Sequence, residues 1–137
     1  MKSLVAIAAT ATVLAAPALA DDHMAPMVEA SDQSVANGVV SAERIVAPAN
    51  GWMVVHRTDA EMAPGPVVGY APIREGETTD VAAILTEAVE PGQMLMLMVH
   101  GEDGGMSTGV FEYTLGASED GPVRMDGDLV MTVITAE

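Results

Sequence analysis

From Val39 to Thr135 the chain runs as a series of short β-type stretches, each fenced by Gly, Pro, Asn or Asp. This rhythm constrains the fold more than any other feature, because closely spaced strands with turn signals lead to a sandwich or barrel. Val39–Val46 is bracketed by Asn37-Gly38 and Pro48-Ala49-Asn50-Gly51, and Trp52–His56 follows at once. Pro66–Ile73 is entered from Ala63-Pro64-Gly65, Thr79–Val89 follows Gly76, and Gln93–His100 follows Pro91-Gly92. Gly109–Leu115 comes after the Gly101–Gly105 loop, and Pro122–Met125 and Leu129–Thr135 flank Asp126-Gly127-Asp128. Val81–Glu90 has some helical propensity, but Thr78-Thr79 before it, Pro91-Gly92 after it and its place in the series favour a strand. The pattern predicts an all-β domain over 34–137, an antiparallel, immunoglobulin-like β-sandwich of seven to eight strands. Aromatics are limited to Trp52, Tyr70, Phe111 and Tyr113, so Val, Ile, Leu and Met must fill the space between the sheets.

The first twenty residues read as an address rather than as part of the fold. Met1-Lys2-Ser3 gives a short positive start, Leu4–Ala16 is a small-apolar run, and Pro17 breaks it before Ala18-Leu19-Ala20. That order is the signature of a secretory signal peptide, and the apolar run falls short of the ~20 residues that span a bilayer. Cleavage is expected after Ala20, with a periplasmic or secreted product and no membrane span left in it. Residues 21–33 show no periodicity and are expected to be a flexible lead-in.

Without the leader the chain keeps four Arg, no Lys and all 20 acids, a net charge of −16. Such a surface repels nucleic acid and anionic lipid, and suits a medium whose salt screens like charges over ~10 Å. The absence of cysteine removes disulfides, thiolate metal sites and cysteine nucleophiles. There is no Gly-x-Ser-x-Gly elbow, no His-Glu-x-x-His and no phosphate-cradling glycine loop, so no enzyme is expected.

Three candidate sites remain. If the mature chain starts at Asp21, it begins with a free amine on Asp21-Asp22-His23. The amine, two backbone amides and a third-position imidazole can present four nitrogens in a plane, which Cu(II) prefers, and the thioethers of Met24 and Met27 would suit Cu(I). The second candidate is Met94-x-Met96-x-Met98-x-His100, whose period of two puts four side chains on one strand face and Leu95, Leu97 and Val99 on the other. This predicts chiefly a central strand with adaptable Met filler. His56 and His100 each end a Val-His strand and could meet in a shared polar cluster, which forms a second candidate metal pair. The acidic loops Glu102–Gly105, Glu119–Gly121 and Asp126–Asp128 offer oxygen ligands but lack calcium-loop spacing, and Asp-Gly at hairpin ends is ordinary turn chemistry.

Taken together, Asn50-Gly51-Trp52-Met53-Val54-Val55-His56, Val67-Val68-Gly69-Tyr70, Met98-Val99-His100, Phe111-Glu112-Tyr113 and Asp120-Gly121-Pro122-Val123 carry a resemblance. The chain resembles a family of acidic domains of unknown function in secreted and cell-surface proteins of haloarchaea and in exported bacterial proteins. The similarity runs from about Ser34 to Thr135. It implies an all-β, extracytoplasmic, non-catalytic module and carries over no functional residues. The Met-rich strand and the Asp-Asp-His start depart from the family pattern and leave room for a metal role. The expectation is an exported binding or structural module with no cofactor and an extracytoplasmic ligand or protein partner. The alternative is a periplasmic copper-binding protein using Asp21, Asp22, His23, Met24 and Met27.

Overall fold

A computed structural model of the chain describes residues 24–137, and among these there is no helix. Nine strands follow in order: β1 (Met27–Glu29), β2 (Val39–Ala47), β3 (Gly51–Thr58), β4 (Val67–Ile73), β5 (Gly76–Ile84), β6 (Met94–Gly101), β7 (Arg124–Met125), β8 (Asp128–Leu129) and β9 (Met131–Thr135). They form an antiparallel sheet β1-β2-β5, a second antiparallel sheet β4-β3-β6-β9, and a small β7-β8 hairpin. The chain changes sheet between β2 and β3, between β4 and β5, and between β5 and β6. With β1-β2-β5 facing β3-β6-β9, this is the Greek-key connectivity of an immunoglobulin-like sandwich, as the strand rhythm predicted.

The apolar alternation explains the packing. Val40, Ala42, Ile45 and Ala47 of β2 meet Met53 and Val55 of β3 and Leu95, Leu97 and Val99 of β6 in one core, closed by Val81, Ala83 and Ile134. The described part of the lead-in also contributes. Met27–Glu29 pairs with Arg44–Val46, Val28 is buried, and Gln33 bridges to Ala136. A three-residue strand is too short to show a period, which is why it left no trace in the hydrophobic pattern. Val81–Ile84 is strand, as expected, and the strand stops there. The stretch after it turns, and Thr86 N–H donates to the Val68 carbonyl at 2.8 Å.

One expected strand is absent. Gly109–Leu115 is an irregular part of the long connection between β6 and β7. Gly109 takes φ 81°, and Glu112 N–H donates to the Asp120 carboxylate at 2.8 Å instead of joining a ladder. The run therefore forms part of a cover over the four-stranded sheet, described below. By contrast, Asp126 and Gly127 both have positive φ, 53° and 92°, and close the β7-β8 hairpin as the Asp-Gly signal indicated.

Leu97→Ala, at a fully buried core position, should cost about 2–5 kcal/mol in a denaturant titration. Ile84→Thr, at a side chain 77% exposed, should stay within about 0.5 kcal/mol of the parent. Equal losses at the two positions would contradict this core.

Candidate functional site

β3 and β6 are buried on both faces. Their inner residues fill the core, and their outer residues are Trp52, Val54 and His56 on β3 and Met96, Met98 and His100 on β6. The register sets Trp52 opposite His100, Val54 opposite Met98, and His56 opposite Met96. The two histidines thus stand at diagonal ends of this outer face and reach toward each other across the Val54–Met98 pair. Their Nε2 atoms are 3.2 Å apart, and both rings are buried.

The far side of each ring is fixed by backbone. His56 Nδ1–H donates to the Gly65 carbonyl at 2.8 Å, and His100 Nδ1–H donates to the Asp120 carbonyl at 2.7 Å. A register shift between Val55 and His56 in the β3–β4 pairing accompanies the first contact, as bulges do where a side chain is re-aimed. Gly65 itself has to be glycine, since a Cβ there would lie 2.6 Å from the Arg57 carbonyl oxygen.

These contacts have a proton count that does not close. Carbonyls only accept, so each Nδ1 must carry the ring proton, and a neutral imidazole has one. Two neutral rings therefore supply two protons for three contacts, and the Nε2 lone pairs are left pointing at each other. Burial pushes both histidines below the ordinary imidazole range, with the Gly65 carbonyl opposing for His56. His100 falls to about 4, lowered by burial and by its histidine neighbour and raised by the Asp120 carbonyl and carboxylate. The pair is neutral at pH 7 and has one electron-rich gap between its rings.

The connection 102–122 covers this face. Tyr113 sits edge-on to His100 with ring centroids 4.5 Å apart and to His56 at 5.9 Å. Phe111 joins Tyr113 to Tyr70 and Trp52 at 6.3, 4.4 and 5.5 Å. All four aromatic residues of the chain and both described histidines thus form one cluster. Asp120 fastens the cover: its buried carboxylate accepts from Asp103 N–H at 3.1 Å and Glu112 N–H at 2.8 Å, while its carbonyl holds His100. Glu102 adds a tie, accepting from Trp52 Nε1–H at 2.8 Å and Gly109 N–H at 3.0 Å. A cleft of about 420 Å³ opens beside the cluster, lined by Pro64, Met98, Tyr113, Leu115 and Pro122 among others.

Of the residues singled out in the sequence, His56 and His100 are brought together. Asp21, Asp22 and His23 lie outside the described residues, as does the leader. Met24 is half-exposed ahead of β1, and the Met27 sulfur lies 3.5 Å from Arg44 Nη2, so both belong to the other sheet's end of the molecule. Met94, Met96 and Met98 alternate with Leu95 and Leu97 along β6, with Met96 and Met98 on the outer face as the alternation required. In the acidic loops Glu102 and Asp120 give their carboxylates to backbone N–H groups, and among the described residues no three His, Asp or Glu side chains are grouped to hold a metal ion. The sequence pattern does not single out Asp120, Phe111 or Tyr113 as parts of a site with the histidines. A positive φ of 46° at Asp120 and its inward carboxylate depend on contacts far apart in sequence.

The model of a family described as Domain of unknown function (DUF7282) matches residues 26–137. No curated protein and no solved structure matches the chain.

The lowered His100 value sets a sign for acid stability. An unfolded imidazole takes up its proton near 6.5, the native one only near 4, so in metal-free protein stability is intact above 6.5 and falls as pH drops toward 4. The loss should be about 3 kcal/mol over that window. Denaturant midpoints at several pH values, compared with those of His100→Gln, should show a steeper acid decline in the parent. Parallel curves would refute the assignment.

Proposed function

The chain belongs to the DUF7282 family, and we propose that it is an exported, non-catalytic binding module whose ligand is held at the His56–His100 corner. One observation carries this reading. The chain has four aromatic residues and gathers all of them, with both described histidines, where the 102–122 connection packs on the four-stranded sheet. The sequence motifs Val-Val-His, Met-Val-His, Phe-Glu-Tyr and Asp-Gly-Pro, far apart along the chain, meet at this corner.

The non-catalytic part of the reading is supported by what the ring nitrogens touch. Their partners are two backbone carbonyls and one another. General-base catalysis needs a proton-bearing group in reach and commonly an orienting carboxylate, whereas carbonyl-held neutral rings suit holding a ligand. Export is supported by the leader pattern ending at Ala20, and the acidic surface fits secreted haloarchaeal proteins or exported bacterial ones in a salty exterior.

A second reading is copper binding at the mature start. Asp21-Asp22-His23 directly follows the expected cleavage site, with Met24 and Met27 behind it. The two readings separate in one preparation. Expressed with its leader, the protein should be recovered from the periplasm or medium beginning at Asp21. On it, backbone amide NMR with a panel of metal ions, sugars and short peptides should shift signals of 102–122 and the ends of β3 and β6. Recovery of unprocessed cytoplasmic protein would overturn the export reading, and shifts confined to other surfaces would overturn the corner reading. A one-to-one square-planar Cu(II) spectrum lost in His23→Ala, and lost again with one residue added before Asp21, would establish the second.

A further inference from the structure

We propose that His56 Nε2, His100 Nε2 and the Met98 thioether hold a single monovalent copper ion beneath Tyr113. The inference rests on the reading that this corner is the binding part of the domain, and names its ligand.

The first argument is geometric. With metal–imidazole bonds of about 2.0–2.1 Å, two nitrogens 3.2 Å apart subtend about 100–105° at a shared ion. That is close to a tetrahedral or trigonal angle, and the two lone pairs face each other across the gap, so a tilt of the rings would aim both at the ion. An ion between them removes the mismatch of two protons for three contacts, because both Nδ1–H bonds stay in place while both Nε2 atoms gain a partner. Each ring is oriented from behind by a carbonyl, the arrangement that outer-shell groups give to metal-bound histidine.

The second argument concerns which ion. Met98 occupies the register position between the histidines on the same face and borders the cleft beside Tyr113, so the strand pairing offers its thioether as a third, soft donor. Thioether and imidazole together select soft Cu(I) over hard cations. Charge points the same way. All three donors are neutral and the site is buried, and the cost of taking an ion out of water rises with the square of its charge. A monovalent ion is therefore favoured over Zn(II).

The test uses the exported full chain carrying His23→Ala, which silences the N-terminal motif. Under anaerobic, reducing conditions, Cu(I) should bind one-to-one in competition with a bicinchoninate chelator, and Ag(I), its redox-inert analogue, should shift the Nε2 resonances of both His56 and His100. Met98→Leu, a volume-conserving change, should keep the fold and weaken Cu(I) by roughly tenfold or more, the least seen even for groups that only support a ligand. His56→Gln should abolish binding. Nε2 resonances unmoved by Ag(I) in the folded His23→Ala protein, an unchanged affinity in Met98→Leu, or tighter binding of Zn(II) than of Cu(I) would each overturn the proposal. If sugars or peptides move the corner while Cu(I) and Ag(I) do not, the ion is wrong and the corner reading stands. If nothing moves the corner, both fall.

Discussion

The double-sided burial of β3 and β6 is the constraint on which the rest depends. A sandwich strand needs one apolar face, and these two strands have two. Their inner faces are accounted for by Met53, Val55, Leu95, Leu97 and Val99 in the core. Their outer faces then require a lid, and among the described residues the only strands outside the two large sheets are those of the short β7-β8 hairpin. The connection 102–122 takes that part, and a loop can bury its backbone only if its N–H groups find acceptors. Asp120, Glu102 and Glu112 provide them through side chains, which is why this acid-rich chain turns several carboxylates toward its own backbone. The site follows from the same demand, since a face that must be covered and is not wholly apolar places two histidines where water cannot reach them.

The fold was legible in the sequence to the extent that it rests on local pattern. Period-two alternation and Asn-Gly, Pro-Gly and Asp-Gly punctuation located β2, β3, β4, β6 and the β7-β8 turn to within a few residues, whereas β5 begins and ends earlier than the Thr79–Val89 run and Leu129–Thr135 is split into β8 and β9. The Met94–His100 run told its own story, because a strand apolar on both sides can only be central. What failed was Gly109–Leu115, whose Phe111-x-Tyr113 alternation is as strand-like as any other. Its conformation is set by a carboxylate eight residues on, and pattern carries no information about a hydrogen bond between a loop and a buried aspartate. β1 was missed for a different reason: three residues give no period, and its strand character comes entirely from pairing with β2.

The histidine pair lies between these cases. That each histidine ends a Val-His strand could be read directly, while the pairing of β3 with β6 that brings them to one face came from the structure. The distance of 3.2 Å could not, because it depends on register, on the shift in β3–β4 pairing at His56, and on carbonyls contributed by Gly65 and Asp120. Gly65 and Gly121 mark the sequence as places of close backbone approach, yet a glycine does not say what approaches it.

The choice of carbonyls over carboxylates behind these rings gives the site its character. With 18 of the 20 acids inside the described residues, a carboxylate partner for either imidazole would have been easy to supply. A carboxylate at Nδ1 would favour the imidazolium and raise its pKa, filling the Nε2 position with a proton at neutral pH. A neutral carbonyl orients the ring equally well and leaves Nε2 as a lone pair. The nearest acid, Asp120, gives its carboxylate to Asp103 and Glu112 and offers His100 only its carbonyl. The surroundings are therefore arranged to keep two nitrogen lone pairs open, facing one another, in a dry site. Such an arrangement is costly as a resting structure, because buried acceptors without a donor destabilise the fold, and it is the form a receptor for a small soft cation would take.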